Sequence, residues 1–196
     1  MDNRQQQIFR FEKAKVEFNS FIPRDGGAEY HLMAHVTDAL LTFSEQLEVL
    51  YAAYDQVAAK QLGGASSVFK RYFLSDICNQ EPVLQAWIGE GSDCAVSIVQ
   101  QAPLNGTKVA LWCYLIEGAC GKALPNGMFE VRRGSYRDLW STGNMNRAAN
   151  SEYQMRLLFN EYVMQLMEEG CTLKDNAIRT WLFVNDVDLN YGGVVR

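Results

Sequence analysis

The chain has 196 residues, of which 48% are hydrophobic, 21% charged and 12% aromatic, with a formal net charge of -5. That length holds one domain or two small ones, and the composition excludes a disordered chain. Dividing it at Ala123 gives 10 Lys+Arg against 14 Asp+Glu before and 8 against 9 after, so neither part is basic and nucleic acid is a disfavoured partner, since phosphate binding rests on Lys and Arg.

The start, Met1 to Gln7, has no apolar core of a signal peptide, and the longest uncharged apolar run, Val109 to Ile116, is too short to span a bilayer. A cytoplasmic protein without a membrane partner is expected. Five cysteines (Cys78, Cys94, Cys113, Cys120, Cys171) form no CxxC pair and suggest buried free thiols, with no disulfide framework and no zinc site. No cofactor motif is present.

In chain order, Ile8 to Phe18 alternates apolar and polar residues with a phase change near Lys13, as in a strand or hairpin. Pro23-Arg24-Asp25-Gly26-Gly27 is a turn cluster, and Tyr30, Leu32, Ala34 and Val36 then alternate with His31, Met33 and His35 as a strand. Ser44 is the candidate N-cap of an amphipathic helix carrying Leu47, Leu50, Tyr51, Tyr54, Val57, Ala58 and Leu62, closed by Gly63-Gly64. Val68 to Leu74 reads as a strand ended by Ser75-Asp76, and Glu81 to Trp87 as a short helix with Pro82 early in it.

Cys94 to Gln100 and Lys108 to Glu117 read as strands joined through Pro103-Leu104-Asn105-Gly106, where Asn-Gly signals a hairpin. The apolar content of the second suggests burial on both faces or at a subunit contact. Gly118 to Gly127 reads as a linker. Met128 to Val131 and Tyr136 to Ser141 follow as strands around an Arg132-Arg133-Gly134 turn. Ser151 then opens an amphipathic helix with Met155, Leu158, Phe159, Tyr162, Val163, Leu166 and Met167 on one face, Gly170 ends it, and Ile178 to Asp186 reads as a further strand.

A repeat emerges from this order. Ser-Glu opens both long helices, the spacing from capping serine to strand-ending aspartate is 32 positions (Ser44 to Asp76) in one copy and 35 (Ser151 to Asp186) in the other, and Phe73 then falls on Phe183. Each copy reads strand, strand, helix, strand. Only the first continues into a second helix and closing strands.

These residues resemble the Rid/YjgF family, also known as the liver perchloric-acid-soluble endoribonuclease family. The resemblance rests on Leu139-Trp140-Ser141-Thr142-Gly143, the Gln154-bearing helix, the Glu169-Gly170-Cys171-Thr172-Leu173 turn and Ile178 to Asp188, with a looser match over the whole first copy. It implies an α+β, chorismate-mutase-like fold, a mixed sheet with helices on one face, in one complete copy at 1–123 and one incomplete copy at 124–196. The tandem plan is similar to that of chorismate-hydrolysing relatives. A homo-oligomer, trimer or pseudo-trimer, is implied too.

The resemblance further implies imine or enamine hydrolysis: an arginine clamps the substrate carboxylate, a glutamate on the last strand positions water, and groups after the Ser-Gly strand end complete the pocket. Here Cys94 stands where that arginine would be, the glutamate's place falls among Ala110, Leu111 and Trp112, and the second copy ends before its arginine strand would begin. No catalytic residue is therefore assigned. Trp140, Ser141, Thr142, Gly143 and Asn144 are the candidate ligand-binding residues and Cys94 the degenerate position. The expected function is a non-catalytic module binding a small carboxylate metabolite or supporting oligomer assembly. The alternative is an imine/enamine deaminase or chorismate-type hydrolase whose clamp arginine comes from elsewhere; an endoribonuclease fits the acidic balance poorly.

Other candidates have plainer readings. His31 and His35 share one face, but with only Asp38 nearby as a third ligand a hydrogen-bonded strand face is expected over a metal site. Arg132, Arg133 and Arg137, near Tyr136 and Trp140, could recognise an anion but also suit a solvated turn.

Overall fold

The computed structural model describes residues 4–24, 27–89 and 93–195. Asp25 and Gly26 of the expected turn cluster, and the first three residues, lie outside the described residues. The chain divides into two compact units, Met1–Leu124 with Phe129–Thr142, and Pro125–Met128 with Gly143–Arg196.

The first unit is α+β. Its strands are β1 (Arg4–Arg10), β2 (Ala14–Phe21), β3 (Glu29–Val36), β4 (Ser66–Leu74), β5 (Ala95–Gln100) and β6 (Val109–Ile116), with helices α1 (Phe43–Gln61) and α2 (Ile77–Ile88) flanking β4 in sequence. They form one mixed sheet in the order β1-β2-β3-β6-β4-β5, in which only β4 and β5 run parallel. The alternation read from the sequence decides which side is covered: Val16, Phe18, Leu32, Ala34, Val36, Leu111 and Cys113 all turn to one core with Leu47, Leu50 and Val57 of α1 and Leu84 of α2. Both helices thus cover one face of the sheet.

The caps sit slightly before their expected places. Thr42, not Ser44, caps α1: its hydroxyl accepts from the Glu45 amide while Glu45 reaches back to the Thr42 amide. That reciprocal pair satisfies two amides at once, which a serine two residues inside the helix cannot do. Helix α2 begins at Ile77, capped by Asp76, so Pro82 lies inside it and removes one amide from its ladder.

The expected hairpin between β5 and β6 does not form, because β4 lies between them. The turn chemistry is present all the same: Gly106 has φ +78 and donates to Pro103 O at 3.1 Å, while Asn105 caps Thr107 and donates to Val36 O at 2.8 Å. A tight turn constrains four residues; which strands pair is decided by long-range burial. Gln46, fully buried, ties this corner down by accepting from the Lys108 amide at 2.7 Å and donating to Leu41 O at 3.1 Å.

The expected linker at Gly118 to Gly127 is largely structured. It contains β7 (Cys120–Ala123), which pairs with β8 (Phe129–Arg133), and β8 pairs with β9 (Tyr136–Trp140). A Cβ at Gly121 would collide with the Phe129 ring, so the glycine permits close packing here rather than freedom. Phe129, Val131 and Trp140 pack with Phe69, Ala95, Trp112, Tyr114 and Ile116, residues of the large sheet's other face. This explains why β6, as expected, is buried on both sides.

In the second unit α3 (Ser151–Glu168) is capped by Asn150, not Ser151, through the Tyr153 amide at 2.9 Å. It ends in a Schellman arrangement, with Cys171 N donating to Leu166 O, Gly170 N to Met167 O, and Gly170 at φ +70. Asn126 exchanges hydrogen bonds with Gln165, which holds 125–128 to this helix. A short α4 (Leu173–Asn176) and α5 (Val187–Val194) follow, and α5 packs on α3. The expected strand over Ile178 to Asp186 is absent: residues 177–184 carry no regular structure, and Asp186, at φ +46, immediately precedes α5 without a side-chain cap bond. Its intended neighbours, β8 and β9, belong to the three-stranded sheet of the first unit, and strand propensity without a ladder partner does not make a strand. Among the described residues no helix is long and apolar enough to cross a membrane.

Candidate functional site

The face of the large sheet turned away from the helices gathers most of the chemistry of the first unit. Alternation places Phe69 and Arg71 of β4, Ala95 and Ser97 of β5, Trp112 and Tyr114 of β6, and Glu29 and His31 of β3 on it.

Arg71 is 6% exposed. Its Nε donates to Ser97 Oγ at 3.2 Å, which fixes the guanidinium plane, and its Cζ lies 5.0 Å from the Phe69 ring centre and 5.7 Å from that of Trp112. Burial lowers its pKa from the ordinary arginine value, yet the group stays charged in any usual buffer. Trp140 stacks on Phe69 at 4.8 Å and lies 6.0 Å from Tyr114. The result is a cation set against two aromatic side chains and one hydroxyl, with Trp140 stacked on one of those rings.

Beside it runs a second chain of contacts. The Trp112 indole N–H donates to Nδ1 of His31 at 3.3 Å, and His31 stacks on Tyr114 at 4.5 Å with the planes 8° apart. The Tyr114 hydroxyl donates to Glu29 at 2.8 Å, and Arg133 of β8 bonds both Glu29 and Asp138. Burial pushes the His31 imidazole below its ordinary pKa, partly offset by the Glu29 charge, so the ring is neutral at pH 7. Its neighbour His35 is lowered in the same direction by burial and by Lys15, against the Glu17 carboxylate 3.7 Å away. Among the described residues no cluster of His, Cys, Asp and Glu could hold a metal ion.

The predicted arginine trio separates across the small sheet. Arg133 joins Glu29 and Asp138, whereas Arg132 and Arg137 both bond Glu130, with Lys122 at 3.6 Å from the same carboxylate. Glu130 is 2% exposed because its own cations lie over it, not because it sits deep in the core. The Arg132 and Arg137 bonds pull its pKa down to about 2. It is a structural anion holding the outer face together.

Of the predicted ligand residues, Trp140 stacks on Phe69, one of the two rings beneath the Arg71 cation, and its indole N–H is buried without a hydrogen-bond partner. Ser141 and Thr142 follow β9, half-buried. Gly143, at φ +73, and Asn144 are exposed and fall in the second unit. Cys94 is buried just before β5, and since its neighbour Ala95 faces the other side, alternation puts its thiol on the helix side of the sheet. Arg71, Glu29 and Glu130 were not singled out in the sequence. For Arg71 the only signal was a charged residue in phase with Phe69 and Phe73 on a strand.

No family model matches the chain, and no curated protein matches it.

Proposed function

We propose that the chain is a Rid/YjgF-like module that binds a small carboxylate and does not carry out imine hydrolysis. What supports the fold reading is the mixed sheet of the first unit with both helices on one face. The carboxylate reading rests on Arg71: a guanidinium held in plane by Ser97 and flanked by Phe69 and Trp112 suits a planar anion, because the fork matches both carboxylate oxygens and the rings exclude water around the pair. Against catalysis stands the position that resemblance gives to the clamp arginine, filled by the buried thiol of Cys94.

The test is a coupled assay with enamine-generating amino-acid chemistry, run beside a fluorescence titration with benzoate and a 2-oxo acid. The expected result is saturable quenching, since Trp112 lies 5.7 Å from the guanidinium, with no accelerated hydrolysis. Accelerated hydrolysis would favour the deaminase instead.

A further inference from the structure

A groove of ≈ 700 Å³ lies on the same sheet face of the first unit, over the end where β1, β2 and β3 meet. Its floor is a small grid set by strand register: Arg4, Phe21 and Glu29 in one row, Gln6, Asn19 and His31 in the next. The volume is that of a small-molecule site. The carboxylate proposed above engages Arg71, which does not line this groove.

Each floor residue has a definable role. Gln6 and Asn19 are directly opposite partners, so two planar amides stand side by side and offer donors and acceptors together. That is the pattern a nucleobase edge satisfies, and Asn and Gln amides are the side chains suited to it. His31 is directly opposite Asn19. With its Nδ1 accepting the Trp112 N–H, the neutral ring keeps its proton on Nε2, a further donor. Phe21 is 40% exposed and supplies an apolar ring on which a flat heterocycle can stack.

Charge narrows the class. Glu29 would repel an anion, but Tyr114 and Arg133 already bond its two oxygens. Arg4, in the same row, adds a positive charge. We infer that the groove binds a planar heterocycle bearing an acidic substituent, of the mononucleotide type: base edge on Gln6 and Asn19, ring on Phe21, phosphate toward Arg4. A polymer is not the ligand, since the chain carries a net charge of -5 and no basic track.

The experiment titrates the full chain with AMP, UMP, adenosine and inorganic phosphate, followed by calorimetry and by tryptophan fluorescence, which reports through Trp112 on His31. The expected result is saturable binding of at least one nucleotide, weaker binding of adenosine, and none of phosphate alone. Asn19→Leu and Gln6→Leu alter exposed side chains, so the unfolding temperature should hold while affinity falls about tenfold each, the loss of one or two ordinary hydrogen bonds. Arg71→Gln should leave nucleotide binding unchanged, and Asn19→Leu should leave carboxylate binding unchanged, which separates the two sites. No saturable signal from either nucleotide, equal affinity for phosphate alone, or indifference to both leucine variants would overturn the inference.

Discussion

The Trp112 indole donates to Nδ1 of His31 across the β3–β6 pair, and the same imidazole lies flat on Tyr114. One residue therefore lies at the border between the aromatic frame of Arg71 and the groove over β1–β3, which remain separate sites. Because burial lowers the His31 pKa, the unfolded chain takes up this proton at higher pH than the folded one. Stability from this group is complete above the unfolded value near 6.5 and is lost as pH falls toward the folded value; His35 works in the same direction. Thermal unfolding followed between pH 7.5 and pH 5 should show a falling midpoint, and His31→Phe should shallow that fall.

Glu130 titrates in a separate window. Held down to about 2 by Arg132 and Arg137, its carboxylate contributes stability that is present above the ordinary 4.5 and lost as pH falls to about 2. Glu130→Gln should lower the unfolding midpoint equally at pH 7 and pH 6, where the carboxylate is ionised in both states, and flatten the acid limb below 4.5. An acid limb as steep as that of the parent chain would mean that other carboxylates carry it.

Gln46 makes a sharper test of the buried polar corner. Gln46→Leu keeps the volume but strips partners from the Lys108 amide and the Leu41 carbonyl. The expected cost is about 1 to 3 kcal/mol in urea unfolding at pH 7, the usual penalty of stranding a buried polar group.

Gly121→Val addresses the three-stranded sheet. The added atoms would meet the Phe129 ring, so Phe129 must leave its place against Phe69 and Trp140. An overpacked site of this kind costs about 1 to 3 kcal/mol. Near-ultraviolet circular dichroism should show weaker aromatic signals as the Phe69–Trp140 stack loosens.

Much of the first unit was legible because each element has one buried face. The period of two in Tyr30 to Val36 and the helical spacing from Leu47 to Val57 follow from that, and both sets pack in the core, with Tyr30 and Tyr51 half-buried at its margin. Strand neighbours were less legible: Pro103 to Gly106 is a real turn, yet the insertion of β4 between β5 and β6 is set by residues far away in sequence. Ile178 to Val184 has the composition of a strand, but composition does not supply a ladder. The Arg71 site was hidden for a similar reason, since its meaning depends on Ser97 across β4–β5 and Trp112 across β4–β6, and neither is a sequence neighbour. The cluster Trp140 to Asn144 was singled out by resemblance, and of its members Trp140 stacks on Phe69.

Carboxylate recognition by Arg71 is most directly tested by calorimetry with matched acid and amide, benzoate and benzamide, on the parent chain, Arg71→Gln and Arg71→Lys. The expected result is saturable binding of benzoate but not benzamide, abolished in Arg71→Gln and weakened in Arg71→Lys, which keeps the charge and loses the planar fork. Equal binding of acid and amide, or benzoate affinity unchanged in Arg71→Gln with the fold intact by circular dichroism, would contradict it.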